Sequence, residues 1–255
     1  MSSSRASRRS PRPEPMLRAD DLLELWAGGR AGTPTDGALD LLWRLQGDIG
    51  SLTPGARDRE LLLLHASVFD PRLDAVVSCP DCAEVLELSV PIDELLASVG
   101  SVGSVGSEGS VAGGRRLQRD DVEITFRLPT VGDLCEGLVD GAALLDRCVT
   151  SATVDGSPVV ALDLSAAVCD AVEEAMRQAD PFAEITVTIV CSSCGYAWDD
   201  LLDPTPFVWQ EVGRSATRLV EDIVDLASTF GWSEGQILAL SPSRRRLYLD
   251  RVRSW

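Results

Sequence analysis

Ser78-Cys79-Pro80-Asp81-Cys82-Ala83 and Val190-Cys191-Ser192-Ser193-Cys194-Gly195 are the two passages that decide how this chain reads. Residues 83–190 separate them. Each Cys-x-x-Cys pair follows an apolar extended run, Ala75-Val76-Val77 in one case and Ile185 to Val190 in the other. Each precedes a strand-like or aromatic stretch, Val85 to Val90 and Gly195-Tyr196-Ala197-Trp198. Zinc takes four ligands in a tetrahedron and favours thiolates, so two thiol pairs on tight turns supply a complete set. The expectation is one zinc held by Cys79, Cys82, Cys191 and Cys194, in a ribbon split across the chain. Four thiolates close the coordination sphere, which predicts a structural site and not a catalytic one.

The gap between the pairs is much longer than the roughly 15–20 residues usual in a contiguous ribbon. Two independent redox motifs, or a decayed site holding disulfides, are the alternatives that this spacing leaves open. A thiol oxidoreductase would place its first cysteine at a helix N-terminus in a βαβ setting, and neither pair has that context. The remaining cysteines, Cys135, Cys148 and Cys169, fall in helical patterns and read as small buried apolar residues.

Working outward, residues 1–17 read as a disordered basic leader carrying Arg5, Arg8, Arg9 and Arg12. Residues 18–98 hold three helices and the first knuckle hairpin. Asp20 or Asp21 is the expected cap of the first helix, which stops at Gly28-Gly29. The second follows Thr35-Asp36, and Thr53-Pro54 opens the third. A short helix covers Pro91 to Ala97. Residues 99–116, rich in Gly, Ser and Val, read as a flexible linker. Residues 117–204 carry a strand at Asp121 to Leu128, helices through Val139 and from Ala142 to Cys148, a turn at Val154 to Pro158, a helix from Leu164 to Ala179, and the second knuckle hairpin. Residues 205–255 form a helical segment opened by Thr205-Pro206. Ser233 with Gln236, and then Ser241-Pro242, start its later helices. The fold class is α+β, mostly helical, with a small antiparallel sheet.

Composition narrows function. The formal charge is −17, with no Lys, and this opposes non-specific binding to nucleic acid or to acidic membranes. No apolar run approaches a membrane span, and the start lacks the apolar core of a secretory signal, so a cytoplasmic location is expected. His65, the single histidine, sits within an apolar helical run and reads as a packed residue and not a general base. The chain has no phosphate loop, dinucleotide fingerprint or nucleophile elbow, so no small-molecule substrate and no enzyme activity are expected. Trp209 takes a core position by helical phase. Trp255, beside Arg251 and Arg253, suits a partner contact. Arg244-Arg245-Arg246 reads as pairing with the protein's own acidic surface or with an acidic partner.

Three passages, in this order and spacing, carry a resemblance to a known family. The first runs from Arg57-Asp58-Arg59-Glu60 through Phe69-Asp70-Pro71-Arg72-Leu73 to the first knuckle. The second is Phe126-Arg127-Leu128-Pro129-Thr130 with Asp133-Leu134. The third is Cys191 to Trp198, followed by Gly231-Trp232-Ser233-Glu234, Ile237 to Ser241, and Arg244 to Leu249. Over roughly residues 20 to 255 the chain resembles the T-even-type phage baseplate hub assembly proteins, whose relatives occur in phage-like contractile injection systems. The resemblance implies a non-enzymatic assembly factor or chaperone, or a minor component of the particle, with baseplate hub or spike proteins as partners. A zinc-ribbon adaptor for protein or nucleic-acid machinery is the alternative. Such a module should show a basic face, which the net charge opposes.

Overall fold

Threonine caps and a following proline set the first helices. The computed structural model describes residues 17–102, 114–135 and 140–254. Helix α1 (Ala19–Gly29) has Arg18 at its N-cap without a side-chain cap, so Asp20 and Asp21 lie in the first turn. There their charges face the positive end of the helix dipole, and neither caps as expected. Helix α2 (Pro34–Gln46) starts earlier than expected, because Thr33 takes the cap and Asp36 closes a capping box back to it. Helix α3 (Pro54–Val68) is capped by Thr53, as its sequence indicates.

An antiparallel hairpin follows, β1 (Arg72–Ser78) with β2 (Val85–Pro91), and leads directly into α4 (Ile92–Val102). Strands β3 (Arg115–Arg119) and β4 (Val122–Phe126) come next, then helices α5 (Val131–Cys135) and α6 (Gly141–Cys148), then strands β5 (Val149–Val154) and β6 (Ser157–Val159). These four strands form one antiparallel sheet in chain order. Helix α7 (Ala166–Ala179) precedes the second hairpin, β7 (Thr186–Val190) with β8 (Ala197–Leu201). The long helix α8 (Pro204–Phe230), capped by Asp203, is followed by α9 (Glu234–Leu238) and α10 (Pro242–Val252). No described helix is long and apolar enough to cross a membrane.

The two knuckle hairpins sit in matching frames. Cys79 and Cys191, Cys82 and Cys194, and the helix starts Pro54 and Ala166, Ile92 and Pro204, each stand 112 positions apart. A helix–hairpin–helix unit therefore occurs twice, with the four-stranded sheet inserted between the copies. The bases of both hairpins share one core. Leu73 at the foot of β1 and Ile185 just before β7 are buried together with Leu62, Ile92, Leu95 and Phe182. A separate cluster joins α1, α2 and α3 to α8, where Trp209 packs on Trp26 with ring centroids 5.0 Å apart. Gly37 and Gly29 let the helices approach this indole, since a Cβ at either would lie 2.4 Å from a Trp209 ring carbon.

The sheet is the largest departure from expectation. One strand is legible in residues 115–159, yet four are present among the described residues. Strand β3 is Arg-Arg-Leu-Gln-Arg, with a single apolar residue, and it lies at an edge where one face needs little cover. Strand β6 carries Pro158, which is tolerated because β6 is the other edge. The expected turn is present, with Asp155 and Gly156 both at positive φ, the pattern of a tight two-residue hairpin. Strand β3 and the end of α4 also reach into the stretch read as a linker. Cys148 is buried as expected, but Cys169 is only partly buried and Cys135 is exposed. The readings of the leader at 1–16, of the linker centre at 103–113, of Leu138 and Val139, and of Trp255 fall outside the described residues.

Candidate metal centre

Each knuckle is a reverse turn closed by backbone hydrogen bonds, and the two are built alike. The Cys79 N–H donates to the Glu84 carbonyl at 2.8 Å and the Ala83 N–H to the Cys79 carbonyl at 2.9 Å. In the second, Cys191 N–H donates to Tyr196 at 2.8 Å and Gly195 N–H to Cys191 at 2.9 Å. The residue after the second cysteine is left-handed in both, Ala83 with φ 60° and Gly195 with φ 76°. This turn aims both sulfurs of a pair to one side.

Side-chain alternation brings the tips together. Val77, Leu86 and Leu88 of the first hairpin pack against Val187, Ile189 and Trp198 of the second, and this small core includes Cys79 and Cys191. The four sulfurs of Cys79, Cys82, Cys191 and Cys194 all lie within 4.8 Å of one another. The contacts that cross between hairpins, Cys79 to Cys194 and Cys82 to Cys191, are both 3.7 Å. A disulfide would require about 2.05 Å. A tetrahedral tetrathiolate with metal–sulfur bonds of about 2.3 Å needs sulfur–sulfur edges of about 3.8 Å. The cluster thus has the size of a metal site with four sulfur ligands, and its geometry does not fit two disulfides.

Burial divides the ligands unevenly. Cys79 and Cys191, first in each pair, are 2% and 1% exposed, while Cys82 and Cys194 face solvent. The N–H of Cys194, helped by that of Ser193, lowers the Cys191 thiol to about 7. The Tyr196 N–H favours the Cys194 thiolate, but burial and the neighbouring sulfurs push that thiol up to about 12. The Cys82 thiol is also raised; the Glu84 N–H lowers it, but burial and the sulfurs of Cys79 and Cys191 outweigh that. A first thiolate forms readily and opposes the next, which is the electrostatic situation that a central dication relieves.

His65 is 3% exposed, and its Nδ1 lies 2.7 Å from the Asp70 carbonyl, where it ties the end of α3 to the chain entering β1. It is a packed residue far from the sulfurs' chemistry. One polar constellation escaped the sequence reading. Asp133, 4% exposed, accepts from both Arg127 guanidinium nitrogens at 2.6 and 2.9 Å and from Arg147 Nε at 2.8 Å. The Thr130 N–H and hydroxyl also donate to it, at 2.8 and 2.9 Å. The Arg127 pair is the main reason the Asp133 carboxyl is held well below the usual carboxylate range. The Leu-Pro-Thr-x-x-Asp passage has the spacing of a capped turn, and that signal could have revealed it.

Comparison with protein-family models, with curated proteins and with solved structures finds no match to this chain.

Proposed function

We propose that this chain is a non-enzymatic assembly factor, or a minor component, for the baseplate hub of a contractile phage tail or a phage-like contractile injection system, and that one zinc stabilises it as a split ribbon. The observation that carries the zinc is the pair of 3.7 Å sulfur contacts between the hairpins. A tetrahedral all-sulfur set selects zinc or an iron–sulfur centre among the common metals, and the tight fit to a single ion favours zinc. Cys79, Cys82, Cys191 and Cys194 would hold the ion, which would neutralise the thiolates and tie two units of the chain at their tips. No ligand position is left for water, so the zinc's role is structural.

The assembly role rests on the ordered passages that resemble the hub assembly proteins, and on a site that binds without turning over. The charge of −17 fits a protein partner better than nucleic acid. Hub or spike proteins of the particle are the expected partners.

Two measurements test the reading. Metal content of the purified chain should be one zinc, and Cys79→Ser or Cys191→Ser should each remove it. Metal retained by either variant, or an iron–sulfur absorption spectrum, sinks the single zinc. Co-expression with the hub and spike proteins of a contractile particle should give a complex or a higher particle yield. Neither effect with the metal-loaded chain sinks the assembly role.

A further inference from the structure

The two sulfur contacts at 3.7 Å both cross between the hairpins, Cys79 to Cys194 and Cys82 to Cys191. Each joins a solvent-facing sulfur to a buried one. Cys82 and Cys194 are exposed, while Cys191 and Cys79 are only 1% and 2% exposed. In each crossing pair an oxidant dissolved in water therefore meets one sulfur first, and the second lies beside it. A thiol oxidised to a sulfenic acid condenses with a thiol in reach to give a disulfide. Closing to a bond of about 2.05 Å draws each pair together by about 1.7 Å. The hairpin bases share a separate core around Leu73 and Ile185, which keeps the two arms opposed while the tips change chemistry.

We propose that the four cysteines form a redox switch, in which a peroxide converts the crossing pairs into two disulfides, Cys79–Cys194 and Cys82–Cys191, and releases the metal. The released ion rests on the metal reading above, whereas the bridges rest on the sulfur geometry. In one pair the Cys82 sulfur attacks a peroxide oxygen, the O–O bond breaks, and water departs to leave a sulfenic acid. Cys191 then attacks the Cys82 sulfur, the S–O bond breaks, and a second water departs. Cys194 and Cys79 follow the same course. Counted from the thiols, each bridge passes two protons and two electrons to one peroxide and yields two waters. The thiolate is the form that binds metal, so a disulfide sulfur is a poor ligand and the ion leaves as the bridges form. Pairing within a knuckle, Cys79 with Cys82, would part the hairpin tips. Pairing across them exchanges an ionic staple for a covalent one, and the tips stay tied.

The full chain, reduced and metal-loaded, is the test material. After hydrogen peroxide at about two equivalents per chain, remaining thiols are alkylated and the chain is digested without reduction. Mass spectrometry should find the peptide holding Cys79 and Cys82 linked to the peptide holding Cys191 and Cys194. Fragmentation of the linked pair should assign Cys79 to Cys194 and Cys82 to Cys191. A coloured chelator should register one released ion per chain. Amides of β1, β2, β7 and β8 should exchange slowly with deuterium in the oxidised, metal-free chain, and fast in the reduced chain stripped by chelator. Disulfides confined to one knuckle, oxidised sulfurs without a bridge, metal retained beside complete bridges, or hairpin amides that exchange as fast after oxidation as after chelation overturn the proposal. A chain that holds no metal as purified sinks the zinc reading instead, and the same peroxide treatment of that chain decides the bridges by themselves.

Discussion

Two polar knots hold this molecule, and they contrast in reach and in self-sufficiency. The sulfur cluster joins residues 79 and 82 to 191 and 194, across the whole inserted sheet. The Asp133 knot joins Arg127, Thr130 and Arg147 within one short passage. The long-range knot brings four thiols to one point but supplies no positive charge, a setting that an imported cation would relieve. The short-range knot carries its own cations, and its carboxylate is already satisfied from five directions. A chain can therefore close a local loop with its own charges. The apolar core shared by the two hairpin tips is small, with Leu86 and Ile189 as its buried side chains besides the cysteines among the described residues, so a bound ion would add most where packing supplies least.

The largest effect should follow from emptying the sulfur knot. Structural zinc contributes roughly 10–16 kcal/mol to isolated zinc fingers. Here the hairpin bases keep their own core around Leu73 and Ile185, so the expected loss is smaller, about 5 kcal/mol. Chelator treatment, or Cys191→Ser, should lower the melting temperature sharply and free the hairpin amides to exchange with deuterium. The sheet amides of β4 and β5 should stay protected. Uniform loss across the molecule would show that the two knots are not independent and would break the comparison.

Next in size is the Asp133 knot. Asp133→Asn removes the charge partner of Arg127 and one contact of Arg147, and should cost about 2–3 kcal/mol, less than a fully buried pair because Arg147 is partly solvated. Denaturant unfolding of the metal-loaded protein measures it. The acid dependence has a definite sign. A carboxyl depressed in the folded state stabilises above its unfolded value near 3.9, and that contribution is lost as pH falls through the folded value. The wild-type chain should therefore lose stability below about pH 4 more steeply than Asp133→Asn. Buried Asp58 opposes this trend, since its carboxyl is raised, chiefly by burial. Its contribution rises as the solution becomes acidic. Parallel acid curves for the wild type and Asp133→Asn would remove Asp133 as the group responsible.

What the sequence makes legible follows from the same contrast. Cysteine pairs on turns are rare enough to be read across any distance, so Cys79, Cys82, Cys191 and Cys194 stand out from the residues alone. Capped helices with Thr-Pro or Ser-Pro starts are equally plain, as at Thr53 and Ser241. Strand β3 is not, because Arg115, Arg116 and Arg119 give it no apolar period and its place depends on pairing with β4. The Asp133 knot was hidden for a related reason. Arg and Asp are common, and only the turn that holds Thr130 and the chain leading to Arg147 selects these particular ones. The repeated helix–hairpin–helix frame was also invisible, since outside the cysteines its two copies share geometry more than residues.

The smallest effect probes the likeness of the two knuckles most closely. Both need a left-handed residue after the second cysteine, and one has Ala83 where the other has Gly195. A Cβ in this conformation costs about 1 kcal/mol, because it crowds the neighbouring carbonyl. A Cβ at Gly195 would meet nothing within 4 Å, so the conformational cost stands alone there. Ala83→Gly should therefore stabilise the metal-loaded chain, by somewhat less than about 1 kcal/mol because glycine also gains entropy when unfolded. Gly195→Ala should destabilise it by about 1 kcal/mol. The double variant, which exchanges the two residues, should return close to the wild type if the knuckles are equivalent supports of one site. A double variant well below the wild type would show that the second knuckle, where the N–H groups of Cys194 and Ser193 lower the Cys191 thiol to about 7, carries the geometry to which the first adapts.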